Sequence, residues 1–395
     1  MNKNIRIAYV LGSPFPTPKA YGVTTRETLK ILQDRLFTVK IFCPKGKYTD
    51  GDFVRVTNTI DSFSETLIVK VLTHVGKLGT TKFNHFCWRA GQFLSIIKNI
   101  STIKKFKPTL VWVRDPMVAY ILIKLIKYVP IILEVHESSG SIFYSKLRNY
   151  NSRLIYCPIN NINLNFVKAF DSEAKTLLAP MGIRGDMLAS KQDCLQYMEL
   201  LEKRAFKNIE IAYVGNFAPG RYSKGVEELI DLAEFLQLNS LEYFVTLIGA
   251  TESEIEQFNI MNLSRKIGSK YLKIKPFVKH SEALALMKNF DVLVLPPYKE
   301  EQYIGMPLKL LEYIAAARIT VVADIPLYRS LFFEKYQPFY YFTGSSKSLF
   351  ESIESAVNSK DLDTLILDGL DFVNEFTWDK RTDKIISFVI ANKII

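Results

Sequence analysis

Short runs of β-branched and aliphatic residues alternate along the chain with longer segments whose apolar residues recur at helical spacing. In the first half the runs are "IRIAYVL" (Ile5 to Leu11), "TVKIFCP" (Thr38 to Pro44), "TLVWVR" (Thr109 to Arg114), "PIILEVH" (Pro130 to His136) and "RLIYCP" (Arg153 to Pro158). Between the first two lies "TTRETLKILQDRL", which puts Leu29, Leu32 and Leu36 on one helical face, so one βαβ unit is predicted there. The pattern starts again with "IEIAYVGNF" (Ile209 to Phe217) and "KGVEELIDLAEFLQ", followed by "FVTLIGA", "YLKIKPFV", "VLVLPP" and "ITVVAD". Each of these except "KGVEELIDLAEFLQ" reads as a strand at α/β spacing. Between Met181 and Asn208 the chain turns polar and loses its strand signals, and the boundary between the halves is expected there. The Arg184-Gly185-Asp186 tripeptide inside that stretch reads as a turn.

Length agrees with this division, since 395 residues exceed one ordinary core and favour two domains of about 100 to 200 residues. With 48% hydrophobic and 23% charged residues, the composition is that of a folded globular protein. Four cysteines (Cys43, Cys87, Cys157, Cys194) stand far apart without CxxC spacing, which argues against a zinc site or disulfide scaffold and suits a reducing cytoplasm. The N-terminal apolar run is interrupted by Arg6 and no small-residue cleavage site follows. Arg114, Asp115, Lys124 and Lys127 break the most apolar later region, so no run of about 18 residues is available to span a bilayer.

Net charge changes the picture, because +11 calls for an acidic partner. No Asp or Glu occurs from Thr66 to Arg114, while Lys70, Lys77, Lys82, Arg89, Lys98, Lys104, Lys105 and Lys107 alternate with Phe83, Phe86, Trp88 and Phe93. Such a mixture suits an anionic membrane surface, a nucleic acid, or simply a solvated basic face. No helix-turn-helix, zinc-finger or RNP-like signature supports nucleic acid, and none is expected as a partner.

Chemistry is concentrated in three places at predicted strand ends, where open α/β sheets bind their ligands. In "GMPLKLLEYIAAARITVVADIP" a helix is predicted from about Pro307, with Leu308, Leu311 and Ala315 facing inward. Its free amides would make an anion site, and Glu312, with two acceptor oxygens, could grip the vicinal hydroxyls of a ribose. The plainer alternative is a surface Glu312 paired with Lys309. The loop "APGRYSKGVEELI" places Arg221 and Lys224 between a strand and a helix, where cations can neutralise a diphosphate. In "ILEVHESSG", His136 follows a near-continuous apolar strand at its carboxyl end. GxGxxG, GxxxxGK[ST], HExxH and GxSxG are all missing, and Asp50-Gly51-Asp52 reads as a turn, so no metal and no separate cofactor is expected.

These three features in this order resemble family 4 glycosyltransferases, retaining enzymes of the GT-B fold in which two Rossmann-like α/β domains face a central cleft. The most specific piece is "GMPLKLLEYIAAARITVVADIP". "YVGNFAPGRYSKGVEELI", "VTLIGA", "IKPFVKHSEALALMKNFDVLVLPP", "APMGI" and "FTWDKR" support it. The resemblance implies an acceptor-side domain over residues 1–185, a nucleotide-sugar domain over 206–375, and a closing helix over 376–395 that crosses back to the first. It implies that Glu312 holds the ribose, that Met306, Pro307, Leu308 and Lys224 hold the diphosphate with Asn216 and Arg221 beside them, that Phe277 and Val278 touch the base, and that His136 faces the donor sugar. Two departures stand out. Ile304 occupies a position where the family carries an acid, Glu300 and Glu301 being out of register, and Asn216 follows Gly215 where an Arg is common.

The expected activity is transfer of a hexose, with net retention, from a nucleotide-sugar to a glycan or lipid-linked acceptor in cell-surface polysaccharide biosynthesis, such as capsule or lipopolysaccharide, by a cytoplasmic enzyme peripheral to the inner membrane. A GT-B nucleotide-sugar epimerase, a catalytically inactive nucleotide-sugar-binding relative and a solute-binding protein are the alternatives.

Overall fold

The computed structural model describes residues 5–17, 20–46, 59–78, 81–136, 142–203, 207–217, 224–297, 306–331 and 336–392. Two compact units divide the chain. One comprises Met1–Met181, Ile304–Met306 and Trp378–Ile395, the other Gly182–Tyr303 and Pro307–Thr377.

In the first unit the apolar runs become parallel strands β1 (Arg6–Val10), β2 (Thr38–Cys43), β3 (Ile60–Ser62), β4 (Leu110–Val113), β5 (Ile131–Val135) and β6 (Leu154–Pro158), ordered β3-β2-β1-β4-β5-β6. Helices α1 (Ala20–Asp34), α2 (Leu67–Lys77), α3 (Lys82–Lys105), α4 (Pro116–Leu125), α5 (Ile142–Leu147) and α6 (Asn161–Phe170) connect them. Parallel strands covered on both faces have no polar side, which is why β4, β5 and β6 read as unbroken apolar runs. Odd-numbered residues of β4 and β5, such as Val111, Val113 and Leu133, pack with Ile96 and Ile103 of α3 and Val118 of α4. Even-numbered Trp112 and Ile132 pack with Leu29 and Leu32 of α1 on the other face.

The second unit repeats the plan. Its strands β7 (Ile209–Val214), β8 (Tyr243–Ala250), β9 (Leu272–Pro276), β10 (Val292–Leu295), β11 (Ile319–Ala323) and β12 (Phe339–Tyr341) are ordered β12-β11-β10-β7-β8-β9. Helices α7 (Lys191–Lys203), α8 (Glu227–Leu238), α9 (Glu252–Arg265), α10 (His280–Met287), α11 (Leu308–Ala315), α12 (Pro326–Arg329), α13 (Ser346–Val357) and α14 (Leu362–Asn374) belong to it. Counted within its own unit each sheet runs 3-2-1-4-5-6, the doubly wound order, and each reverses direction between its first and fourth strands. The three-residue edge strands β3 and β12 carry too few residues for a period-2 pattern, and neither was among the expected strands.

The chain ends in α15 (Trp378–Ala391), which belongs to the first unit. Its Ile385, Ile386 and Val389 pack on the Trp112 face of the first sheet. On that face an acid interrupts the hydrocarbon. Glu134 of β5 is only 2% exposed, and its Oε1 accepts from Arg381 Nη2 of α15 at 2.9 Å and from Trp112 Nε1 at 3.0 Å. Removing one partner of a buried ion pair leaves an uncompensated charge. Arg381→Met should therefore lower stability by about 3 kcal/mol, read from denaturant unfolding of the purified chain. An unfolding midpoint equal to that of the unaltered protein would contradict this.

Candidate functional site

Each sheet gathers polar groups where its strand order reverses. In the first unit a cavity of about 200 Å³ lies at the carboxyl ends of β1, β4 and β5, lined by Gly12, Ser13, Tyr21, Gln92, Arg114, Asp115 and His136 among others. Gly12 lets α3 approach, since Gln92 Nε2 donates to its carbonyl at 2.8 Å and a Cβ there would lie 2.8 Å from the same nitrogen. Asp115 caps α4, accepting from Met117 N at 2.8 Å, and pairs with Arg89 of α3. The Asp115 carboxylate is thus held in place on the cavity wall.

His136, expected at this strand end, lines the cavity, with its side chain 19% exposed. Its Nε2 lies 2.8 Å from Glu134 Oε2, and its Nδ1 lies 3.2 Å from Arg114 Nη2. Arg114 Nε also donates to Nε2, at 3.0 Å, so the guanidinium faces both ring nitrogens and Nε2 is shared between it and the carboxylate. Burial, reinforced by Arg114, pushes the imidazole down to about 4 even though Glu134 pulls the other way. It is neutral at physiological pH. Burial by itself would raise the Glu134 carboxyl, but Arg381, the bond from His136, and Arg114 together hold it well below the usual carboxylate range. Arg114 is fixed in turn by Nη1 bonds to Thr24 Oγ1 (2.7 Å) and the Tyr21 carbonyl (3.1 Å).

The second unit builds its cluster on the same plan. β7 pairs with β10 only at Ile211 and Ala212, and beyond that point the strands part. The Tyr313 hydroxyl of α11 enters the gap, accepting from Val214 N–H at 2.9 Å and donating to its carbonyl at 3.3 Å. Gly215 follows with φ +153°, and a Cβ there would fall 1.9 Å from Lys309 Cε and Nζ, so the lysine lies directly on the glycine backbone. Three residues on, one helical turn, stands Glu312, 8% exposed, with Oε1 2.9 Å from His280 Nε2 at the start of α10. Burial works to raise the Glu312 carboxyl; the His280 bond and the Lys309 charge outweigh it and lower it. Lys309 is lowered by burial against the pull of Glu312. The surface pairing of Glu312 with Lys309 that the sequence also allowed is therefore not what forms: the acid is buried and its hydrogen-bond partner is His280.

α11 starts one residue later than expected. Pro307 is its N-cap, with ψ 93°, rather than its first helical residue, and no side chain caps the helix. Met306 belongs to the first unit, where its Sδ lies 3.2 Å from Met181 N. Pro307 and Leu308 belong to the second unit beside Lys309 and Glu312. Lys224 follows the loop after β7, its N–H donating to the Phe217 carbonyl at 2.9 Å. Gly225 next to it has φ +64°, and a Cβ would lie 2.5 Å from the Pro297 carbonyl, which brings Gly225 against the chain just beyond β10. Asn216 is exposed and its carbonyl accepts from Tyr213 Oη at 2.9 Å. Phe277 and Val278 follow β9, Phe277 N–H donating to the Ala250 carbonyl at 2.9 Å, and lead within two residues to His280. Arg221, Ile304, Glu300, Glu301 and the Asp50-Gly51-Asp52 turn lie outside the described residues.

Four residues entered unforeseen as functional groups. His280 and Arg114 carry no local pattern that distinguishes them. Glu134 did carry one, because an acid inside a strand apolar on both faces needs a partner. Arg381 was visible in "FTWDKR", without its destination.

Residues 201–365, under half of the chain, match the family described as glycosyl transferases group 1. No curated protein matches. Among solved structures, the chain is similar to HepE from Anabaena, crystallised with UDP and glucose (13% identity, 98% of this chain and 100% of that one, TM-score 0.66). It is also similar to sucrose-phosphate synthase from Thermosynechococcus elongatus (14%, 99% and 99%, TM-score 0.69) and to an α,α-trehalose 6-phosphate synthase from Burkholderia multivorans (12%, 98% and 99%, TM-score 0.69). The chain has the two-unit α/β GT-B fold.

The pH dependence of stability follows from His136. Unfolded, the imidazole takes up a proton near its ordinary 6.5, whereas folded it resists until about 4. Between these values the unfolded state binds more protons, so stability falls as pH drops through the interval. Depression of the folded Glu134 carboxyl adds to the loss further down, below its ordinary 4.5. The melting temperature should decline from pH 6.5 to 4, and His136→Gln should flatten the upper part of that decline. A slope unchanged by the substitution would show that another group governs it.

Proposed function

We propose that this protein is a retaining glycosyltransferase that moves a hexose from a nucleotide-sugar, of the UDP type, to a glycan or lipid-linked acceptor in the assembly of a surface polysaccharide. The observation that carries the reading is the buried Glu312, turned toward His280, one helical turn from a lysine pressed on Gly215, within a segment that matches the group 1 glycosyltransferase model. HepE, crystallised with UDP and glucose on the same fold, supports the donor class.

In this reading the second unit holds the donor. Glu312, kept ionised by His280 and Lys309, accepts the ribose hydroxyls, and exposed Phe277 with Val278 bounds the base. The uncapped start of α11 after Pro307 offers the Leu308 amide to the diphosphate, with Met306 and Pro307 preceding it and Asn216, Arg221 and Lys224 completing the phosphate side. Leaving-group charge grows on the diphosphate as the glycosidic bond breaks, so fixed donors and cations there lower the barrier, and they fill the place a metal would take. The departing diphosphate takes the proton of the attacking acceptor hydroxyl on the same face of the sugar, which keeps the anomeric configuration. The first unit holds the acceptor side, where neutral His136 hydrogen-bonds without competing for that proton. Its basic, acid-free segment suits a cytoplasmic enzyme at the inner face of an anionic membrane.

Lys224→Ala and Glu312→Ala should each lower turnover of a UDP-hexose by about an order of magnitude or more, each removing a charged contact to the donor. Full activity in both variants would remove this site. Transfer should also continue in excess EDTA, and its abolition there would show that the phosphates need a metal.

A further inference from the structure

We propose that the α2–α3 pair is a docking surface for a lipid bilayer carrying anionic headgroups. The two helices lie antiparallel at close range. A Cβ at Gly76 would fall 2.5 Å from Trp88 Cβ and one at Gly91 would fall 2.9 Å from Thr73 Oγ1, while Asn84 Nδ2 donates to the Val75 carbonyl at 2.7 Å. α3 is anchored to its unit by buried Gln92, Ser95, Ile96, Asn99 and Ile103.

The remaining surface of the pair is apolar where water should be. On α2, Leu67, Lys70, Val71, His74, Lys77 and Leu78 share one helical face, and all six are exposed. On α3, Lys82, Phe86, Phe93, Ile97 and Lys104 recur at spacings of 4, 7, 4 and 7 and are likewise exposed. Phe83 and Phe86 at the head of α3 are 66% and 68% exposed. Large apolar side chains in a row along a helix mark an interaction surface, whereas scattered ones do not.

Charge selects the occupant. Between Thr66 and Arg114 there is no acid, and of the cations on the two helices Arg89 is bound to Asp115 while the six lysines, 70, 77, 82, 98, 104 and 105, pair with no carboxylate among the described residues. A second copy of the chain would bring these lysines against themselves. A nucleic acid would satisfy the lysines and leave Leu67, Val71 and Ile97 exposed to water. A bilayer takes both, since acyl chains accept the apolar row while long lysine stems reach back to phosphate, each contributing about 1 kcal/mol. Among the described residues no helix is long and apolar enough to cross a membrane, so the contact is interfacial. The inference rests on the preceding section only for its purpose, which is to bring the enzyme to a lipid-linked acceptor.

Sedimentation of the full chain with vesicles tests it, using phosphatidylcholine alone and phosphatidylcholine mixed with phosphatidylglycerol in equal parts. Binding is expected to the mixed vesicles and not to the neutral ones, to weaken with added salt, and to fall about tenfold or more in Phe83→Ser/Phe86→Ser. Lys70→Glu/Lys77→Glu, at exposed positions that folding does not need, should give a similar loss. Transfer to a water-soluble acceptor should be unchanged in both variants. Failure to bind mixed vesicles, equal binding to neutral ones, or a solution dimer that both variants abolish would overturn the proposal. Vesicle binding without any sugar transfer would leave it standing and overturn the assigned reaction instead.

Discussion

One buried carboxylate organises the first unit. Glu134 stands where two covered faces of a parallel sheet leave no water, so its charge must be met entirely by protein. Trp112 meets it from the neighbouring strand, His136 from two residues along its own strand, and Arg381 from α15, 247 residues away in sequence. Even-numbered residues of β5 face α1 and α15, so this acid can reach the C-terminal helix and Leu133 or Val135 cannot. The same two oxygens thus do two jobs. Oε1 binds the closing helix to the sheet, and Oε2 holds the ring of the histidine that lines the cavity.

A second constraint acts in both units, the reversal of strand order. Adjacent strands at that point carry their connections to opposite faces, so their ends separate and a space opens. In the second unit the separation is visible in the ladder itself, which stops at Ala212, and Tyr313 satisfies the Val214 backbone that β10 no longer reaches. Only a glycine at 215 leaves room for Lys309, and that lysine in turn depresses the Glu312 carboxyl. Both clusters therefore rest on backbone geometry first and on side-chain charge second.

Much of the architecture could be read directly. Ten of the strands were legible because parallel strands covered on both faces need long apolar runs, and such runs stand out between amphipathic helices. Helix α11 was legible from Pro307 and the Leu and Ala spacing after it, although its first turn was not, since whether a proline caps a helix or begins it depends on a ψ value that the residue type leaves open. The edge strands escaped notice because three residues carry no period.

By itself, then, the sequence determined the α/β class, the repetition of one plan and the residues at strand ends, because these depend on periodicity and residue type within a few neighbours. Tertiary structure decided the partners. That Glu312 would meet His280 rather than Lys309, and that Glu134 would meet Arg381, each depends on which faces meet after the strands are ordered. Contacts of that kind join residues tens to hundreds of positions apart, and no local pattern records them.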